Sequence, residues 1–339
     1  MTTPPLSVPL SVPLSVPLSL SVSVPSGTVS PMLAITVRTE RGHSHRRPAL
    51  RSLSDLVVGL GGAGDRFLVV ERIPSDPDVY LQVWREGGGD YQLEHRAGSP
   101  ERHFQAYLTS ADEVVELMAL WARREEDWDL GPAWERLDFP AEAPAEPLPP
   151  EVERQLEEAV RGWLRGGYDD RAALTERAEE HLADGNVRPV SREQAAQLVV
   201  RLWRERVAEQ DGWAGETDPE RVARAFAALG AAGITAREDF ACCRGCGLAE
   251  IRGDGPPDAR GFVFFHAQCT QGAADGGDLY LLYGAFATGD DAADEVRTAA
   301  VGREVVAALD AVGLESLWDG SAHDAIRVTG LDWRKRLTG

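Results

Sequence analysis

Residues 79–96 read VYLQVWREGGGDYQLEHR and decide the fold of the first part of the chain. Apolar and polar side chains alternate on both sides of Gly87–Asp90, which is the period of two that a half-buried β-strand shows. The glycines supply the positive φ that a tight turn requires. The stretch therefore predicts a β-hairpin with strands over Val79–Trp84 and Tyr91–Arg96.

The sequence around this hairpin extends it into a sheet with helices. Phe67–Val70 and His103–Leu108 have the composition of strands. Ser54–Leu60 is a short helical stretch, and Ala111–Arg124 repeats apolar side chains at the helical spacing of three and four. We therefore expect a small α+β domain over residues 32–139.

Two proline-rich segments bound this domain. Residues 140–150 alternate Ala, Glu and Pro and are expected to be a linker. Residues 1–31 contain SVPL three times in succession and no charged side chain, and their prolines exclude a continuous helix. We expect a disordered, polyproline-like tail and a natural start at Met32.

Residues 151–339 are expected to form a second domain, helical first and then α+β. Capping boxes at Ser191 and Thr217 predict the starts of two of its helices. Strands are expected over the following stretches, with a helix over Ala292–Val312 between the last two: Phe240–Ile251, Gly261–His266, Leu279–Phe286 and Ile326–Leu331. The predicted fold class is α+β, with two small domains that each pack a mainly antiparallel sheet with helices, joined by a proline-rich linker.

All four cysteines of the chain lie between Cys242 and Cys269. Cys243 and Cys246 form a CxxC motif followed by glycine, and His266 and Cys269 form an HxxC motif. Such residues are the soft ligands of tetrahedral zinc sites, and a closed set of four ligands is typical of a structural metal. The spacing predicts a zinc knuckle, a tight turn between two strands, with Cys243, Cys246, His266 and Cys269 as ligands.

Three alternatives to this zinc site remain open. The thiols can be inert and half buried, since free cysteine behaves as a small hydrophobe. A CxxC motif can be a redox pair, but that chemistry needs a helix N-terminus, and the residues after Cys246 are predicted to continue as a strand. Cys243 can be a nucleophile with His266 as its base, although no orienting acid is identifiable.

Two further patterns carry less weight. Gly59–Gly64 matches GxGxxG, but a helix-like stretch precedes it and a strand follows, the inverse of a dinucleotide-binding site. Glu94, Arg96 and His103 are expected on adjacent strands, where an exposed strand face with cross-strand charge pairing is the favoured interpretation and a binding surface the alternative.

Charge and composition limit the classes of partner. The 339 residues carry a formal charge of −20, which opposes binding to nucleic-acid phosphates and suits a protein partner with a basic surface. Four clustered thiols in a chain of this length favour a reducing cytoplasm over a secreted disulfide framework. We identify no run that is long and apolar enough to cross a membrane.

Residues 151–337 resemble a bacterial family of unknown function that is common in actinomycetes. The resemblance is carried by CCxxCG at 242–247, FFHxQ at 264–268, LYLxYG at 279–284 and WDG at 318–320. It implies no established activity. In that family the HxQ motif is usually followed by an acidic residue, where this chain has Cys269.

Residues 32–139 resemble the immunity-type domains of bacterial toxin systems, through the Trp84 hairpin, Leu93–Arg96, His103-Phe104 and the Trp121 helix. The resemblance implies a small acidic domain that binds and blocks a partner toxin. The sequence as a whole predicts a cytoplasmic, non-catalytic protein-interaction or regulatory protein. The alternative is a zinc-dependent or cysteine-based enzyme centred on Cys243, Cys246 and His266.

Overall fold

The computed structural model describes residues 32–139 and 145–338. The predicted tail, residues 1–31, and part of the predicted linker, residues 140–144, lie outside the described residues. Two sheets and helices on both sides of residues 140–144 confirm the α+β class. The boundaries of the two predicted domains stay a prediction.

The first sheet has seven strands in the order β2-β1-β3-β4-β5-β6-β7, all paired antiparallel. The strands are β1 (Ile35–Thr39), β2 (Ser44–Arg46), β3 (Phe67–Asp76), β4 (Val79–Arg85), β5 (Tyr91–Ala97), β6 (His103–Leu108) and β7 (Glu135–Arg136). The helices are α1 (Leu50–Val58) and α2 (Ala111–Ala122), with a short 3-10 helix at Pro100–Arg102.

The predicted hairpin is confirmed as β4 and β5. Val79 pairs with Ala97 and Arg85 with Tyr91, and Gly88 in the connecting turn has a φ of +81°. Strand residues of one face, such as Leu81 and Leu93, are fully buried against the helices. Helix α2 contributes its predicted apolar stripe to that core, namely Val114, Leu117, Met118 and Trp121. The alternation of apolar and polar residues in the sequence therefore determines both the register of the β4–β5 pair and the face of the sheet that is buried.

The second sheet has five strands in the order β11-β12-β10-β9-β8. The strands are β8 (Ile234–Arg237), β9 (Gly261–Phe264), β10 (Leu279–Ala285), β11 (Ser316–Leu317) and β12 (Ile326–Val328). The helices are α3 (Pro150–Gly166), α4 (Arg171–His181), α5 (Arg192–Gln210), α6 (Asp218–Ala231), α7 (Arg244–Asp254), α8 (Ala267–Ala274) and α9 (Asp291–Ala311). Strands β8 and β9 are parallel, and the other pairs are antiparallel.

The predicted strand over Phe240–Ile251 is wrong, because the chain forms helix α7 there. The two buried residues of α7, Gly247 and Ile251, are four positions apart, and Leu248 between them is exposed. That spacing places the buried pair on one helix face and excludes the alternation of a strand. Glycine has no side chain to mark its position as buried, so the apolar pattern of this helix is incomplete in the sequence.

The end of β3 and the turn into β4 contact helix α5 through polar groups. The buried Trp203 on α5 donates from Nε1 to the carbonyl of Ser75 at 2.8 Å. Arg204 donates to Asp76 at 2.9 Å and to Asp78 at 2.7 Å. The end of β3 and the start of β4 are therefore fixed against α5.

No helix in the described ranges is long and apolar enough to span a bilayer.

Candidate metal and thiol site

The candidate site lies where the parallel strands β8 and β9 end. Helix α7 follows β8 and helix α8 follows β9, so both helices begin at the same edge of the sheet. Two backbone hydrogen bonds join the connections, from Phe240 N to Phe265 O at 2.8 Å and from Ala267 N to Ala241 O at 3.2 Å. The cysteine-bearing loop is thus held against the start of α8.

The loop between β8 and α7 has an unusual backbone. Asp239 has a φ of +49° and Ala241 a φ of +63°, a region that side chains other than glycine rarely adopt. Each such residue costs about 1 kcal/mol or more, and strain of this kind concentrates at functional sites. Here it turns the chain sharply, so that Cys242 and Cys243 meet the first turn of α7.

Three cysteines meet at this turn. The sulfurs of Cys242, Cys243 and Cys246 all lie within 4.8 Å of one another, and the Cys242 thiol donates to Cys246 Sγ at 3.6 Å. Cys242 and Cys246 are exposed, and Cys243 is partly buried. Zinc–sulfur bonds of about 2.3 Å place the ligand sulfurs of a tetrahedral site about 3.8 Å apart. The three thiols, which we call the three-thiol cluster, could hold a metal ion.

Cys243 is the N-cap residue of α7. The backbone N–H of Cys246, followed by the neighbouring thiols and the N–H of Gly245, lowers the pKa of Cys243 below its usual value. Hydrogen bonding with Cys242 and Cys243 raises the pKa of Cys246 to about 11. The sequence argument against a redox pair at Cys243 and Cys246 was that a strand, not a helix, would follow them. The structure places both cysteines at the N-terminus of α7, so this argument no longer holds.

Gly247 sets how closely α7 approaches the sheet. A Cβ at this position would overlap the ring of Phe264 on β9. A Cβ at Gly245, two residues earlier, would meet no atom within 4 Å. The glycine that follows the CxxC motif is therefore needed for packing, and it seats the N-terminus of α7 on β9.

His266 and Cys269, the other two predicted ligands, form a separate pair at the start of α8. His266 is the N-cap residue, is 8% exposed, and lies with Nε2 at 3.4 Å from Cys269 Sγ. Burial lowers the pKa of His266 and raises the pKa of Cys269. The Nδ1 atom of His266 is buried and finds no hydrogen-bond partner within the described part of the chain.

The four predicted ligands thus fall into two groups in the structure. Cys243 and Cys246 lie with Cys242, and their three sulfurs are all within 4.8 Å of one another. Neither His266 nor Cys269 belongs to this group. Sequence reasoning missed Cys242, whose only signal was its position next to Cys243. Whether all four predicted residues bind one ion stays a prediction.

A cleft of about 590 Å³ adjoins the cluster and has Cys242 in its wall. Helices α3, α4 and α8 form its other sides, and Asp239 lies within it. Burial raises the pKa of Asp239 to about 6, and the Thr270 hydroxyl donates to its carboxylate. Asp239 forms no ion pair with any residue that the structure describes. Sequence reasoning also missed this acid, because its burial depends on helices distant in the chain.

The comparison with protein families now identifies this half of the molecule. Residues 149–337 match a domain of unknown function, DUF6891. The chain belongs to the DUF6891 family. This match confirms the predicted resemblance of the second half to a family of unknown function. No curated protein and no solved structure is detectably similar to the chain.

The DUF6891 domain contains the three-thiol cluster, the His266–Cys269 pair and the cleft, because all of them lie between residues 149 and 337. The family match therefore assigns these features to one domain and leaves residues 32–139 outside it. The resemblance of that first part to immunity-type domains stays a prediction.

Outside the DUF6891 domain, Glu94, Arg96 and His103 come together as expected. His103 Nε2 lies 3.1 Å from Glu94 Oε2, and Arg96 Nε lies 3.3 Å from His103 Nδ1. Arg96 also reaches Asp78 at 3.4 Å, and His103 is only 2% exposed. The cross-strand pairing agrees with the expectation, but the expected exposure of this strand face is wrong, because the three side chains are largely buried. Gly59–Gly64 follows α1 and precedes β3, so the rejection of a dinucleotide motif also agrees with the structure.

Proposed function

We propose that the DUF6891 domain binds a thiophilic metal ion, zinc, through Cys242, Cys243 and Cys246. The observation that supports this is the mutual approach of three sulfurs within 4.8 Å at one helix end. Thiolates select zinc and other soft ions over magnesium and calcium. The backbone N–H groups that lower the pKa of Cys243 also favour the thiolate that a metal requires.

His266 is our candidate for the fourth ligand, in line with its prediction from the sequence. Its support is the buried Nδ1 without a hydrogen-bond partner, together with the backbone bond from Ala267 N to Ala241 O, next to Cys242. A fourth protein ligand would close the site and make the metal structural. If that position is instead open to solvent, the site has the three-ligand form typical of catalytic zinc, beside a cleft that contains Asp239.

Metal titration of the reduced, metal-free protein tests the proposal. We expect one zinc ion per chain and a loss of affinity of more than about 100-fold in Cys243→Ser and in Cys246→Ser. His266→Gln separates the two forms of the site: a clear loss of affinity indicates a fourth protein ligand, and an unchanged affinity indicates an open position. If wild-type protein binds zinc no more tightly than Cys243→Ser, the proposal is wrong.

We retain a second proposal, that the chain acts as a cytoplasmic protein-interaction or regulatory protein with a basic partner. Its support is the formal charge of −20, which attracts basic surfaces over long range. Partners isolated from the native host by affinity purification would test it, with binding expected to weaken as salt rises. A protein that remains free of partners and turns over a small molecule would contradict it and favour the enzyme alternative.

A further inference from the structure

Within the three-thiol cluster, Cys246 is the sulfur that is best placed to enter a disulfide. Cys242 Sγ lies 3.6 Å from Cys246 Sγ, and Cys243 Sγ lies within 4.8 Å of it. A disulfide needs a sulfur–sulfur separation of about 2.05 Å, so either approach requires a small side-chain movement. A bond between the adjacent Cys242 and Cys243 would distort the planar peptide between them.

The cluster is also open to reagents in solution. Cys242 and Cys246 are exposed, and Leu248 on the next turn of α7 is exposed as well. Cys269 differs, because it is partly buried beside His266 and lies outside the cluster. A soluble disulfide can therefore reach the cluster more readily than it can reach Cys269.

We propose that the three-thiol cluster undergoes thiol–disulfide exchange with low-molecular-weight disulfides and forms an internal disulfide that always includes Cys246. A cluster thiolate attacks the reagent disulfide, forms a mixed disulfide and releases one reagent thiolate, which takes up a proton. A second cluster thiolate then attacks the mixed disulfide and releases the second reagent thiol. Two protein thiols are oxidised by two electrons in all, and one reagent disulfide is reduced to two thiols.

This exchange controls metal binding, and that part of the inference rests on the proposed zinc site. A sulfur in a disulfide is no longer a thiolate ligand, so oxidation removes two of the three cluster ligands at once. Bound metal in turn occupies the attacking thiolates. Reduced cluster thiols bind zinc, and oxidation to the disulfide releases it.

The test uses the full chain, first metal-free, with glutathione disulfide as the probe. Peptide mapping is expected to show one internal disulfide per chain in wild type and in Cys269→Ser, and none in Cys246→Ser. Cys242→Ser and Cys243→Ser identify the partner of Cys246. If the disulfide is lost in only one of these two variants, the cysteine replaced in that variant is the partner, as the inference requires. An internal disulfide in Cys246→Ser, or none in wild type, would overturn the inference.

The same reaction with zinc present tests the regulatory part separately. With free zinc at 100 times its dissociation constant, we expect disulfide formation to slow about 100-fold, because only the metal-free fraction reacts. An unchanged rate would contradict metal control, while the internal disulfide of the metal-free protein would still stand. A failure of the exchange and a failure of the zinc site are thus distinguishable.

Discussion

The three-thiol cluster and the His266–Cys269 pair begin two helices at the same edge of one sheet, yet their environments differ. The cluster sulfurs are largely exposed, and backbone N–H groups of α7 lower the pKa of Cys243. His266 is buried, and burial raises the pKa of Cys269. Position at a helix N-terminus is therefore not sufficient to activate a thiol, because burial of the thiol opposes it.

The largest expected effect concerns thiol reactivity in metal-free protein. At about pH 7.5, we expect iodoacetamide to modify Cys243 much faster than Cys246, because backbone N–H groups lower the pKa of Cys243 while the pKa of Cys246 is raised to about 11, so that Cys246 stays almost entirely as the unreactive thiol. Cys269 is also expected to react slowly. Peptide mapping over time measures the order of modification. Labelling of Cys269 before Cys243 would contradict the proposed difference in reactivity between the three-thiol cluster and the His266–Cys269 pair.

The packing of α7 predicts the next effect. Gly247→Ala is expected to lower the free energy of unfolding by about 2 kcal/mol, because the added methyl group overlaps Phe264. Gly245→Ala is the matched control, since its methyl group meets nothing within 4 Å, and it should be neutral or slightly stabilising. Urea denaturation compares the two variants. Equal stability of both would mean that α7 is not seated on β9 in this way.

Asp239, in the loop before Cys242, accepts a hydrogen bond from Thr270 on α8 and gives a pH-dependent effect. Its pKa is raised to about 6 from the usual 3.8, so the folded chain binds this proton more tightly than the unfolded chain. The contribution of Asp239 to stability is therefore most favourable below pH 3.8 and is lost as the pH rises through 6. Asp239→Asn should raise the free energy of unfolding by about 2 kcal/mol near pH 7.5 and by little near pH 4.

Denaturant unfolding at the two pH values, with the exposed Asp258→Asn as control, measures this difference. A gain that is the same at both pH values would show that the buried charge is not its cause. A stabilising Asp239→Asn would mean that the chain keeps an unfavourable carboxylate in the wall of the cleft.

The parts of the fold that could be predicted from the sequence are those in which apolar side chains mark the buried positions. The hairpin of β4 and β5 and the stripe of α2 follow from apolar periodicity, and the capping boxes at Ser191 and Thr217 mark helix starts that the structure confirms. Helix α7 was not predictable in this way, because Gly247 is buried without an apolar side chain.

The candidate site was predictable only in part. Cys243 and Cys246 were identified by their spacing, and their approach to each other is what a helical turn produces. Cys242 joins them directly after Asp239 and Ala241, whose left-handed backbone cannot be predicted from an aspartate or an alanine alone. His266 and Cys269 lie outside the cluster, at the start of a different helix, α8, which the sequence did not predict.

The zinc content of Cys242→Ser and Cys269→Ser, purified side by side without chelator, tests the central claim most directly. The three-thiol cluster includes Cys242 and excludes Cys269, so we expect elemental analysis to find the metal lost from Cys242→Ser and retained, at one ion per chain, by Cys269→Ser. The opposite result, metal retained by Cys242→Ser and lost from Cys269→Ser, would contradict the account and favour the ligand set of Cys243, Cys246, His266 and Cys269.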